Sequence, residues 1–141
     1  MPQATVNWMD GMKFEAITPE GYSFTIDGKR QEGVGAMDLL LYGLAGCTAV
    51  DVVLILQKQR QPVENVTVNV SGERANEHPK VYTKIHIEYI VRGDLKPDKV
   101  ERAIQLSEEK FCSASAMLGK TAEITHSYRI IPPDAPKSAI I

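Results

Sequence analysis

From Met37 to Leu56 nearly every position is apolar, whereas the segments on either side alternate polar and apolar residues. The run DLLLYGLAGCTAVDVVLIL, Asp38 to Leu56, predicts a long helix that is hydrophobic on all sides, which a globular chain must cover with a sheet or a second subunit. Asp38 in its first turn suits the positive end of the helix dipole, Lys58 and Arg60 suit the negative end, and Pro62 stops it. Such a run is also long enough to cross a bilayer. Asp51 deep inside it, Asp38 at its start and the interruptions at Gly43 and Gly46 argue instead for a core helix.

The flanking patterns are those of strands and one further long helix. ATVNWM, KFEAIT and YSFTID read as short strands, separated by Asp10-Gly11, a hairpin signal, and by Pro19-Glu20-Gly21. A polar loop, GKRQEGVGA, leads into the apolar run. Beyond it, NVTVNVSGER and VYTKIHIEYIVRG alternate, the second with Ile85, Ile87, Tyr89 and Val91 on one face and Lys84, His86 and Glu88 on the other, as in a half-buried antiparallel sheet. LKPDKVERAIQLSEEKF predicts an amphipathic helix with Pro97 near its start and Val100, Ile104, Ser107 and Phe111 at helical spacing. CSASAMLGK is a bend and a short helix, TAEITHSYRII a last strand, and PPDAPKSAII a loose tail.

The length of 141 residues is that of one domain, residues 1–141. A net charge of -2 with interspersed signs excludes a nucleic-acid surface, which needs clustered Lys and Arg. Met1 to Asp10 lacks the basic and apolar regions of a signal peptide, so the chain is read as cytoplasmic. Cys47 and Cys112, 65 positions apart and outside any CxxC, form neither a disulfide framework nor a zinc or thioredoxin motif.

Cys47 admits two readings: a buried small hydrophobe, or a reactive sulfur walled by the apolar helix. Small residues Gly43, Gly46 and Val50 share its face, and FCSASAM around Cys112 is similarly small, so the two cysteine segments can meet. Asp51, four residues on, faces the same way and disfavours a thiolate, so a reactive Cys47 needs a cation from elsewhere. Lys13, Lys29 and Arg30 are the candidates, each also readable as a solvated surface charge. His78 and His86 are read as solvated, and His126, on the apolar face of the last strand, as hydrogen-bonded rather than catalytic.

GVGAMDLLLYGLAGCTAVDVV followed 65 positions later by QLSEEKFCSASAML resembles the OsmC/Ohr superfamily, the osmotically inducible and organic hydroperoxide resistance proteins. The resemblance covers nearly the whole chain and is closer to the OsmC-like branch than to Ohr itself. It implies an α+β fold of antiparallel sheets packed around long central helices, with two subunits intertwined as a homodimer and the sites at their interface. It further implies a thiol-dependent hydroperoxide reductase in which Cys47 is the peroxidatic cysteine and Cys112 resolves it to a disulfide. An organic hydroperoxide is the implied substrate, with Leu40, Leu44 and Met117 as lining, and an external dithiol the reductant. No metal, haem, flavin or nucleotide is implied, and no membrane or nucleic-acid partner.

The family's peroxidases hold the reactive thiolate with a hairpin arginine and a glutamate at the start of the central helix. Lys13 falls near the arginine position, and Met37 or Asp38 near the glutamate. Asp38 is therefore a candidate partner, and the cation stays open between Lys13 and Arg30. Ser113 stands after Cys112, where those enzymes place a proline-containing motif. Two further readings use the same cavity: a binding protein for a small apolar ligand, and an enzyme acting on a persulfide or disulfide.

Overall fold

A computed structural model describes residues 1–136. Along the chain run β1 (Thr5–Asp10), β2 (Lys13–Ile17), β3 (Ser23–Asp27), α1 (Asp38–Lys58), β4 (Val63–Arg74), β5 (Tyr82–Gly93), α2 (Pro97–Leu106), a π-helical turn (Ser107–Phe111), α3 (Ser113–Leu118) and β6 (Glu123–Ile131). The elements are those the alternating and helical patterns predict, and the class is α+β. The chain divides into two compact units, Met1–Leu40 and the residues from Leu41 on.

The first unit is an antiparallel meander in the order β1-β2-β3. Its first turn needs Gly11, whose φ of +51° is one that residues with a Cβ rarely adopt. The Trp8 indole donates to the Gly11 carbonyl across this turn, at 3.0 Å, while its ring stays exposed. Asp27, buried at the end of β3, accepts backbone N–H bonds from Lys29, Gln31 and Glu32 and so shapes the loop that follows. Those donors hold its carboxyl below the usual carboxylate range.

In the second unit β4 and β5 pair antiparallel over twelve residues each, as expected. β6 departs from the antiparallel expectation: it runs parallel to β5 on the other side. The physical reason is the connection, since α2, the π turn and α3 carry the chain back along the sheet before β6 begins, as a parallel pairing requires. The core is Ile85, Ile87, Tyr89 and Val91 of β5 with Val100, Ala103 and Ile104 of α2 and Leu44, Val52 and Leu56 of α1. Gly93 closes β5 at a φ of +145°, where a Cβ would lie 2.4 Å from the Pro62 carbonyl oxygen.

α1 is apolar all round but buried within this chain along one stripe only, Leu44, Thr48, Val52 and Leu56, every fourth residue. Tyr42, Val50 and Leu54 are between 51% and 64% exposed, and beside Gly43 and Gly46 there is open space. By length and composition α1 would cross a membrane. Its buried stripe and the hydrogen bond between Thr48 and Tyr89 of β5 make it the central helix of this unit's core.

The amphipathic pattern around α2 predicts an unbroken helix to Phe111. Val100, Ile104 and Ser107 are buried as that pattern requires, but Phe111 is exposed. The π turn explains the difference: the Cys112 N–H reaches back to the Ser107 carbonyl, five residues earlier, and the added residue rotates everything after it away from the stripe. His86, expected to be solvated, is exposed yet bonded at both ring nitrogens, to Thr125 (2.8 Å) and Ser127 (2.9 Å) of β6. At the end of the chain Arg92 binds the carbonyls of Pro133 and Ala135, so the tail expected to be loose is anchored there. The remainder of that expectation, residues 137–141, lies outside the described residues.

Candidate active site

Cys47 lies midway along α1, with Asp51 one helical turn further on the same face. Cys112 is delivered by the π turn, whose exit is extended (φ −77°, ψ 104°). The two sulfurs and a carboxylate oxygen of Asp51 all lie within 4.8 Å of one another. Both cysteines are free thiols, Cys112 buried and Cys47 partly exposed. Cys112 also caps α3, its sulfur accepting the Ser115 N–H at 3.4 Å. Burial pushes the Cys112 thiol above the usual thiol range; the Ser115 bond opposes this and the neighbouring Cys47 reinforces it.

Asp51 is not left alone against the sulfurs. The Ser107 hydroxyl, aimed inward by the first residue of the π turn, donates to its Oδ2 at 2.9 Å. Ser107 Oγ is 2.8 Å from Thr48 Oγ1, and Thr48 Oγ1 is 2.8 Å from the Tyr89 hydroxyl. Tyr89 donates to Glu108 Oε2 at 3.0 Å, and His126 Nδ1 pairs with the same oxygen at 3.1 Å. Thr48, Ser107 and Tyr89 are fully buried. Burial, first of all, holds the Tyr89 phenol well above its ordinary range. Glu108 and His126 open onto a cavity of about 580 Å³ that Glu101, Gln105, Glu109, Ile124 and Tyr128 complete. His126 thus lies exposed against a carboxylate oxygen, where its place on the apolar face of β6 predicts a half-buried, hydrogen-bonded ring.

In the first unit, Asp38 is gripped by Arg30 in a bidentate fork, Nε to Oδ2 at 2.7 Å and Nη2 to Oδ1 at 3.0 Å. The Gly35 N–H adds a third bond to Oδ2 at 3.0 Å. Arg30 sits at a φ of +53°, in the left-handed region, within the loop that Asp27 orders. Lys13 is committed elsewhere, to Glu32 at 2.7 Å and Asp10 at 3.5 Å. Its bond to Glu32, above all, raises its pKa. Of the apolar residues expected as lining, Leu44 is buried, while Leu40 and Met117 are exposed in this chain.

The sequence puts Asp51 on the face of Cys47, as a neighbour that disfavours a thiolate, and lets the two cysteine segments meet. The structure sets all three within 4.8 Å and adds Thr48, Ser107, Tyr89 and Glu108, which the sequence reading misses. The signal was present in part, since Thr48 and Asp51 are the polar positions in the interior of the apolar helix and Ser107 continues the apolar stripe of α2. Two thiols and a carboxylate are also a zinc-type donor set. A metal held there would keep both sulfurs from closing a disulfide.

An α+β chain whose central helix carries one cysteine and whose second helix delivers another beside it defines a class that the comparisons identify. The OsmC-like protein family matches residues 27–127. Protein YhfA of Escherichia coli K12 is 41% identical over 131 residues, covering 92% of this chain and 98% of that protein. Among solved structures, a hypothetical protein from Aquifex aeolicus VF5 superposes with a TM-score of 0.85 at 30% identity, over 94% of this chain and 97% of that one. The organic hydroperoxide resistance protein OhrB of Bacillus subtilis superposes with a TM-score of 0.63 at 18% identity, over 90% of this chain and 98% of that one, a likeness of fold. The chain belongs to the OsmC-like family.

Proposed function

We propose that this protein is a thiol-dependent reductase of organic hydroperoxides, working in the cytoplasm as an intertwined homodimer. The observation that carries the reading is the approach of two free thiols, 65 positions apart in sequence, to within 4.8 Å of each other. The Cys47 thiolate attacks the terminal oxygen of the hydroperoxide, so that an S–O bond forms, the O–O bond breaks and the alkoxide leaves to be protonated as an alcohol. The Cys112 sulfur then attacks the sulfur of the Cys47 sulfenic acid, an S–S bond forms, and hydroxide leaves as water with the proton of the Cys112 thiol. An external dithiol reduces the disulfide.

The exposed apolar side of α1 supports the homodimer, because a second copy would cover Tyr42, Val50 and Leu54 and fill the space at Gly43 and Gly46. Both candidate cations are bonded to carboxylates, Arg30 to Asp38 and Lys13 to Glu32 and Asp10, and this reading leaves the cation open between them. The test is to expose fully reduced protein to stoichiometric cumene hydroperoxide, trap residual thiols with an alkylating agent and map peptides by mass. The expected product is a Cys47–Cys112 disulfide, formed faster than with hydrogen peroxide. Recovery of both cysteines as alkylated thiols would overturn the reading.

A further inference from the structure

The buried hydroxyls beside the thiols can be counted, and the count does not close. Asp51, Ser107, Thr48, Tyr89 and Glu108 are joined by four consecutive oxygen–oxygen contacts of 2.8 to 3.0 Å. Each contact needs one hydrogen, because two bare oxygens at that distance repel. Ser, Thr and Tyr carry one hydroxyl hydrogen each, which makes three. If Ser107 donates to Asp51 and Tyr89 to Glu108, Thr48 can satisfy only one of its two contacts. Thr48, Ser107 and Tyr89 are fully buried, where an unmade hydrogen bond is most costly.

We propose that these five groups form a proton relay between the dithiol and the surface, holding one proton more than the hydroxyls supply, on the carboxyl at one end or the other. With the proton on Asp51, all four bonds run from Asp51 through Ser107, Thr48 and Tyr89 to Glu108. With it on Glu108, all four run the opposite way. Shifting one hydrogen across each of the four contacts together breaks and forms one O–H bond at every step, and so moves the proton from one end to the other without an ion resting in the core. One end touches the chemistry, since an Asp51 oxygen lies within 4.8 Å of both sulfurs. The other end touches water, since Glu108 shares its Oε2 with the exposed His126 and lines the 580 Å³ cavity.

The function assigned to the relay rests on the reductase reading, whereas its proton content does not. Asp51, ionised, accepts the Cys47 thiol proton, which leaves the sulfur as thiolate and the carboxyl neutral. The repulsion that a fixed Asp51 charge would exert on that thiolate is removed in the same step. The relay then passes a proton out at Glu108, and returns one when the alkoxide or a reduced thiol needs it. The π turn is what makes this possible, because it places Ser107 inward and Glu108 at the rim from adjacent positions. Asp51 is the group that meets the sulfurs; Ser107, Thr48, Tyr89 and Glu108 act through it.

The test is infrared difference spectroscopy of the reduced protein in H₂O and D₂O at pH 8, where ordinary Asp and Glu side chains are ionised. The expected result is the C=O stretch of a single protonated carboxyl, shifted by deuterium. Thr48→Val leaves two contacts and two hydroxyls, so the band must vanish although both carboxyls remain. Tyr89→Phe leaves the same balance and gives the same loss, which keeps the test open if one variant fails to fold by circular dichroism. With cumene hydroperoxide, Thr48→Val should also slow Cys47 oxidation about tenfold and displace its pH profile. Absence of the band from the unmutated protein, or its persistence unchanged in a folded Thr48→Val variant, overturns the relay. Failure of cumene hydroperoxide to oxidise the unmutated protein while the band is present overturns the reductase reading instead.

Discussion

α1 carries two carboxylates, and the fold treats them in opposite ways. Asp38, at the first turn, is held by full charge: a guanidinium fork and a backbone N–H meet it in a partly solvated setting. Asp51, beside the sulfurs, pairs with no cation among the described residues and is held by a neutral hydroxyl that belongs to a buried chain. The first arrangement fixes a geometry around the carboxylate. The second, in the relay proposed above, lets the carboxyl exchange a proton with its hydroxyl partner. Placed near a thiol, a fixed anion is an obstacle, but a titrating one is a base.

The sharpest break of the comparison is at the sulfur that Asp51 serves. Cys47→Ser removes the nucleophile and should abolish hydroperoxide consumption, whereas Cys112→Ser should still consume one equivalent and stop at a Cys47 sulfenic acid, trapped by dimedone and seen by mass. Next in size is stability. Ser107→Ala leaves Thr48 and Asp51 short of a partner in the core and should cost about 1–3 kcal/mol in urea unfolding. Asp38→Asn weakens an exposed pair and should cost under about 1 kcal/mol, a difference that shrinks further in high salt. Equal costs at the two sites would erase the contrast drawn between them.

The smallest effect is on pH dependence. Burial raises the Cys112 thiol, so the folded protein keeps this proton at a pH where the unfolded chain would release it. Its contribution is therefore fully present below the ordinary thiol range and declines as pH rises through that range towards the folded value. Urea midpoints measured from pH 7 to 10 should fall, and the decline should be smaller in Cys112→Ser. At the acid end Asp27 does the reverse, because its N–H donors lower its carboxyl, and its contribution is lost as pH falls below the ordinary carboxylate range.

Most of the architecture was legible in the sequence because it is written in periodicity. A period of two marked β4 and β5, and an apolar run stopped by Pro62 marked α1. The parallel placement of β6 was not legible, because periodicity reports faces and not strand direction. The end of α2 was not legible either, since SEEKF is good helical sequence and the π turn is imposed by tertiary packing of Ser107 against Thr48 and Asp51. At the site, the cysteines and Asp51 follow from motif and helical spacing. The choice of Arg30 over Lys13 as partner of Asp38 does not, because it depends on a left-handed backbone at Arg30 and on the amide cage of Asp27. Hydroxyl chains are hardest of all, as Ser, Thr and Tyr in a core carry no charge pattern to betray them.

The hairpin bond between Trp8 and Gly11 gives the protein a reporter of its own. Trp8 is the chain's single tryptophan and it sits on the first unit as a residue 69% exposed. Its emission in the isolated chain is therefore that of a wet indole, and any blue shift that grows with protein concentration reads directly as a surface closing over β1. Because the thiols lie in the second unit, the same fluorophore lets folding of the first be followed by light while the chemistry of the second is followed by mass.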